Sequence, residues 1–407
     1  MPDQTSPRSI NSSSSGRKRI ALALEYPLMQ QGGTEVLVRE LLRGLSRHFE
    51  IVLVSGDTDR SSLPPEFAEL IAGHLSWKPE QAAPQIARFL ADAMQRHQIS
   101  LAHFHFGGTY EWASNRFDSC PIYHLARRGV PCLSTNHLVM EWLNCGAHPT
   151  RPLPYKLLAQ AYAWLSRARL YRHLRLEICV SQRDRQRLVR MFPMFHRRII
   201  QRYHSLLGAE APAPDRQARA PLILCIGAIG GRKAQINLVQ AFASIAPRYP
   251  EWRLDLIGRV GVPADFERIQ ACIEREKLAD RIHLTGWLSD TETVRAMQCA
   301  SIIAMPSLQE GLGLSLQEAL FHGCVGVGSR IGGIPELIED RVNGLLVPPG
   351  DVSALSAALN QLMATPTLLE QFRAQSRSSI LRKGMTAGAM TQSYLEIYEE
   401  LLRQKSD

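Results

Sequence analysis

The feature that most constrains this chain is an alternation of short apolar runs with longer helical stretches, broken once and then resumed. The first runs are Arg19–Tyr26, Glu50–Gly56, Ser100–Phe106, Pro131–Asn136 and Leu176–Ser181. Short, continuous apolar runs suit strands buried on both faces, and such strands form parallel sheets only when helices cover them. Between the first two runs, Glu35–Arg47 places Val36, Leu37, Leu41, Leu42 and Leu45 at helical spacing. The stretch 208–221, GAEAPAPDRQARAP, has no apolar period and reads as a linker. The alternation then restarts with Leu222–Ile229, Arg253–Gly258, Arg281–Leu288, Ala300–Ser307, Cys324–Ser329 and Gly344–Pro348. Asp351 is placed to cap the next helix, and Thr386–Arg403 forms the last one.

The expectation is therefore an α/β protein of two Rossmann-like parallel-sheet domains facing a cleft, because 407 residues exceed one ordinary core. Residues 1–16, rich in Ser, read as a disordered tail. Residues 17–207 form the N-terminal domain, 208–221 the linker, and 222–385 the C-terminal domain. Residues 386–407 form a helix expected to pack back toward the N-terminal domain.

Composition narrows the class. No apolar run reaches the roughly 18 residues of a membrane-spanning helix, and no signal-peptide pattern opens the chain, so a cytoplasmic protein is expected. The eight cysteines have no close pair, which fits buried thiols in a reducing compartment and neither a zinc site nor a disulfide framework. The net charge of +9 is concentrated: residues 151–202 hold 13 basic and two acidic side chains. So focused a charge points to an anionic surface or substrate. No stacking-aromatic motif or reader fold accompanies it, so nucleic acid is not an expected partner.

Four loops carry candidate chemistry. In Pro306–Leu320, PSLQEGLGLSLQEAL, a strand end leads through glycines into a helix beginning near Gly313. Glu310 lies in the loop and Glu318 about a turn and a half into the helix. Carboxylates so placed can each accept hydrogen bonds from a vicinal diol, one of a sugar ring and one of a ribose. Taken alone, the pair better suits a solvated helix face, where carboxylates are common. In Cys225–Phe242, Arg232 and Lys233 precede a helix N-terminus, which suits a pyrophosphate; alone they suit a surface turn. GGTE at Gly32–Glu35 offers close backbone approach at Gly33, or an ordinary tight turn. STNHLVMEW puts His137 at a strand end, where a neutral imidazole could orient a hydroxyl, while His103 and His105 receive no role.

EGLGLSLQE resembles the Glu-x7-Glu motif of family 4 glycosyltransferases, and the likeness continues through Phe321–Asp351. It is close over most of Leu222–Asp351 and looser over 19–205, where GGTE and STNH carry it. The resemblance implies a GT-B fold and retaining transfer of a hexosyl group from a nucleotide-diphosphate sugar, with no metal or other cofactor. It implies that Glu310 and His137 attend the reacting sugar and that Glu318 contacts the ribose. Lys233 would meet the donor phosphates, flanked by the backbone of Leu312, Gly313 and Leu314, and Arg232 could stand in for a family cation that this chain lacks. Many members carry an Arg where this chain has Ala228. The acceptor implied is a glycan or lipid-linked saccharide, in envelope or exopolysaccharide synthesis. Segment 151–202 is then a candidate contact with an anionic membrane surface, on the inner face. Two other readings fit the same fold: a nucleotide-sugar epimerase, and a non-catalytic nucleotide-sugar-binding subunit.

Overall fold

The computed structural model describes residues 16–30, 32–77, 84–106, 120–139, 152–208 and 219–404. One sheet holds β1 (Arg19–Leu24), β2 (Glu50–Ser55), β3 (Ile71–Ser76), β4 (Leu101–Phe106), β5 (Cys132–Asn136), β6 (Leu176–Cys179) and β7 (Ile199–Gln201). The other holds β8 (Ala220–Ile226), β9 (Arg253–Ile257), β10 (Ile282–Gly286), β11 (Ala300–Met305), β12 (Val325–Ser329) and β13 (Gly344–Val347). The first sheet is covered by α1 (Gly33–Leu45), α2 (Pro65–Ala68), α3 (Pro84–Arg96), α4 (Pro121–Arg127), α5 (Leu153–Tyr171) and α6 (Gln182–Met191). Around the second lie α7 (Gln235–Ile245), α8 (Pro263–Arg275), α9 (Asp290–Cys299), α10 (Leu314–Phe321), α11 (Ile334–Leu337), α12 (Val352–Ala364) and α13 (Pro366–Arg382). The last helix is α14 (Ala387–Arg403).

Every strand pairing is parallel, in the orders β3-β2-β1-β4-β5-β6-β7 and β10-β9-β8-β11-β12-β13. Helices on both faces explain why β11 is buried at all six residues and β1 at five of six. In each sheet the winding direction reverses beside the first strand. There the loops leaving neighbouring strands splay apart, and ligands of open α/β sheets bind in the crevice between them. The loops leaving β8 and β11 form such a pair, so Lys233 and Glu310 meet although 77 residues separate them.

After the second sheet the chain returns to the first. Thr386 caps α14 by accepting from the Ala389 amide. Met390, Tyr394, Tyr398, Leu401 and Leu402 then join the core of β1, β2 and α1. Burying each ring contributes about 1.5–3 kcal/mol, and the hydroxyls are satisfied as well. Tyr398 meets His103 at 2.6 Å, and Tyr394 meets His204 at 2.7 Å and Thr135 at 3.1 Å.

Several expectations change. The strand expected at Leu222–Ile229 runs instead from Ala220 to Ile226, because the chain turns at Gly227. The linker therefore gives up its last two residues to β8, and 209–218 lie outside the described residues, as do 1–15 of the expected tail. The first helix starts at Gly33, so GGTE is its opening turn. Cys299 is exposed, unlike the other described cysteines. Not every cation of 151–202 is free surface charge. Arg167 points inward, 3.8 Å from buried Glu177, while Arg185 and Arg198 donate to backbone carbonyls.

Candidate active site

β11 delivers the loop 306–313 and then α10; β8 delivers Arg232, Lys233 and then α7. The Leu308 amide donates to the Arg232 carbonyl at 2.7 Å and stitches the two loops together. Lys233 Nζ sits 2.5 Å from Glu310 Oε2, and Arg232 Nη1 sits 3.5 Å from Oε1. The Gly311 amide and the Ser307 hydroxyl also donate to this carboxylate. Burial alone would raise the pKa of Glu310. The Lys233 and Arg232 charges and the hydrogen bonds outweigh it, so the carboxyl titrates below its ordinary range. Glu310 is thus an ionised, immobilised acceptor inside the protein.

Glu318 projects from α10 into the same space. Burial, followed by the negative Asp290 at the start of α9, pushes its pKa up to about 7. No side chain caps α10, and its first residues line the cavity, so first-turn amides and the positive helix end are available to an anion. A cavity of about 720 Å³ between the two sheets brings together Glu310, Glu318, Lys233, Arg232, His137, Gly33, Leu312, Gly313 and Leu314. Ala228 lines it as well, without a charge.

His137 follows β5 on the opposite wall. Burial lowers its pKa to about 3, so the imidazole is neutral. Its Nε2 lies 3.2 Å from His105 Nδ1, a neighbour that burial also keeps neutral, so one ring donates to the other. Behind them, His103 joins Tyr398 and Thr135, and His204 joins Tyr394. His137 touches the opposite domain directly: a Cβ added at Gly311 would collide with the His137 carbonyl oxygen.

His103 and His105, without an expected role, are part of this cluster. Their signal was present, since LAHFHF places them two apart and hence on one face of β4. Arg259 was legible in the same way, as the residue after a buried strand and Gly258 at a sheet's carboxyl end. Trp287, which follows Gly286 at the end of β10, carries the same signal, whereas Arg39 and Asp290 also line the cavity and nothing local in the sequence marks them.

Two parallel-sheet domains facing one cleft, with a basic loop and a paired-carboxylate loop side by side on its C-terminal wall, define the GT-B class of glycosyltransferase fold. A sucrose-phosphate synthase from Thermosynechococcus elongatus superposes with a TM-score of 0.76 at 18% identity, covering 95% of this chain and 100% of that one. Anabaena HepE, solved in complex with UDP, superposes with a TM-score of 0.70 at 16% identity over 94% of this chain and 100% of that one. Residues 31–202 match the model of Glycosyltransferase Family 4, and residues 210–379 match that of Glycosyl transferases group 1. The chain belongs to family 4 of the GT-B glycosyltransferases.

Among curated relatives, a D-inositol 3-phosphate glycosyltransferase from Segniliparus rotundus is 28% identical over 202 residues, 46% of this chain and 44% of the relative. A GDP-mannose-dependent alpha-(1-6)-phosphatidylinositol monomannoside mannosyltransferase from Mycolicibacterium smegmatis is 29% identical over 172 residues, 38% of this chain and 44% of the relative. The chain thus spans less than half the length of these relatives.

Proposed function

We propose that this protein transfers a hexosyl group, with retention of configuration, from a nucleotide-diphosphate sugar to an acceptor hydroxyl. The observation that carries the reading is Glu310: a buried carboxylate, kept ionised by two cations, on the cleft wall facing a neutral histidine. In this reading the diphosphate lies along Lys233, Arg232 and the start of α10, and Glu318 accepts from the ribose diol. Glu310 and His137 hold the hydroxyls of the transferred sugar. The acceptor oxygen attacks the anomeric carbon as its bond to the diphosphate oxygen breaks, and that leaving oxygen takes the acceptor's proton. The protein contributes positioning and charge stabilisation, with the diphosphate's charge met by Lys233 and Arg232 and no cofactor required. An epimerase or a binding subunit is less favoured, since the curated relatives above are named as transferases.

The acceptor side of the reading is a glycan or lipid-linked saccharide of envelope or exopolysaccharide synthesis, met at the inner face of a membrane. Its support is α5, whose outward side exposes Leu157, Leu158, Tyr162 and Leu165, followed by exposed Arg169 and Arg172. No described helix is long and apolar enough to cross a membrane, so contact would be peripheral. Calorimetric titration with UDP-, GDP- and ADP-sugars tests the donor reading. One nucleotide class is expected to bind, and absence of binding by all three would overturn it.

A further inference from the structure

Glu336 belongs to the C-terminal domain, on α11, yet its side chain serves the N-terminal one. Its carboxylate accepts from the backbone amides of Gln182 at 3.0 Å and Arg183 at 3.2 Å, in the first turn of α6. Ser181 satisfies the next amide, that of Asp184. The Tyr203 hydroxyl donates to the same carboxylate at 2.8 Å, and Arg183 reaches back to the Arg330 carbonyl at 3.3 Å. A helix ordinarily caps itself or turns its first amides to water. Here a negative charge from the other domain meets the positive end of α6, where charge-assisted hydrogen bonds are strong.

The other end of this contact is the reacting site. Just before α11, Gly332 has φ +55°, and a Cβ there would collide with the Glu310 carbonyl oxygen. The Gly333 amide donates to the Gly311 carbonyl at 2.6 Å. The loop bearing Glu310 is therefore backed by the turn that bears Glu336, while its Gly311 abuts His137 of the opposite wall. One path of direct contacts runs from α6 through Glu336, Gly332 and Gly333 to Glu310 and His137.

We infer that Glu336 is a positioning residue: an interdomain latch that holds the cleft closed and sets the separation between the Glu310 loop and His137. The inference rests on the proposed transfer, because a fixed separation matters to a reaction that uses both walls. Binding of nucleotide to the C-terminal wall does not need the latch; assembly of the complete site does. Releasing it lets the domains part, admits water and misplaces the two walls relative to each other.

The test compares wild type with Glu336→Ala, Glu336→Gln and Tyr203→Phe. Small-angle scattering of the free proteins reads closure without any substrate. The radius of gyration should be largest for Glu336→Ala. Glu336→Gln should be intermediate, since its amide oxygen still accepts, and Tyr203→Phe should shift it least. Calorimetry with UDP and GDP should give affinities within about twofold of wild type for all variants. Turnover of the bound nucleotide sugar should fall roughly 10- to 100-fold in Glu336→Ala, the cost of one or two charged hydrogen bonds expressed as a closure equilibrium. Unchanged scattering in all three variants would overturn the latch, and so would nucleotide affinity falling in step with turnover. If no nucleotide sugar binds the wild type, the transfer reading fails, and the scattering comparison still decides whether Glu336 holds the domains together.

Discussion

Replacing Lys233 by Met removes the cation closest to Glu310 while keeping most of the apolar stem. At 2.5 Å and an effective dielectric of about 20 the attraction is roughly 6–7 kcal/mol before desolvation, which offsets much of it. Breaking a buried pair by removing one partner costs about 3–5 kcal/mol, since the other charge is stranded. Arg232 remains at 3.5 Å but is 43% exposed, so it relieves only part of this. The expected loss is about 3 kcal/mol of C-terminal-domain stability at neutral pH. The assay is urea denaturation of Lys233→Met, Glu310→Gln and the double variant, read at the C-terminal-domain transition. The double variant should be more stable than the two single losses added together, by about 2 kcal/mol, because no charge is then left buried alone. Glu310 titrates lower when folded than its ordinary value of 4.5. Its stabilisation is therefore present above that value and lost as pH falls through the folded one. The gap between wild type and Lys233→Met should close as the pH falls below 4.5 and through the lower folded value of Glu310. Strict additivity in the double variant, or a gap that persists in acid, would refute the account of this pair.

The other predictions concern ligands. If Glu318 binds the ribose diol as a carboxylate, affinity for the cognate nucleoside diphosphate should rise between about pH 6 and pH 8, through its pKa of about 7, and Glu318→Gln should flatten that dependence; calorimetry across that range checks it. Glu318→Ala should weaken binding by roughly 1.5–3 kcal/mol, the worth of a charged hydrogen bond. His105→Phe should leave nucleotide affinity unchanged and lower turnover several-fold, since His137 loses its 3.2 Å partner; kinetics with the donor found by titration reads the split. Liposome co-sedimentation should show binding that needs anionic lipid and weakens with salt, and Leu158→Asp with Leu165→Asp should abolish it.

What was legible in the sequence follows from what is local. Strands buried on both faces, such as Ala300–Met305, announce themselves as apolar runs. The edge strands of the first sheet did not. Ile71–Ser76 is buried only at Ile71, and Ile199–Gln201 has three residues and one buried position. Glu310 and Lys233 were legible as separate loop residues. Their pairing was not, because it depends on β8 and β11 being neighbours. The histidine stack and Glu336 were less legible still, since their partners lie on other strands, on α14 or across the domain boundary. Arg167 shows the converse: it counts as a surface cation in the sequence and is turned inward by the fold.

The central claim, retaining transfer at the cleft formed around Glu310, is tested most directly by proton NMR of the anomeric signals during turnover. The donor is the nucleotide sugar that binds, and wild type is compared with Glu310→Gln. The account predicts that wild type gives a product with the donor's own anomeric configuration, and that Glu310→Gln binds the nucleotide yet forms product at least about a hundredfold more slowly. An inverted product, or a Glu310→Gln enzyme with wild-type turnover, would contradict it.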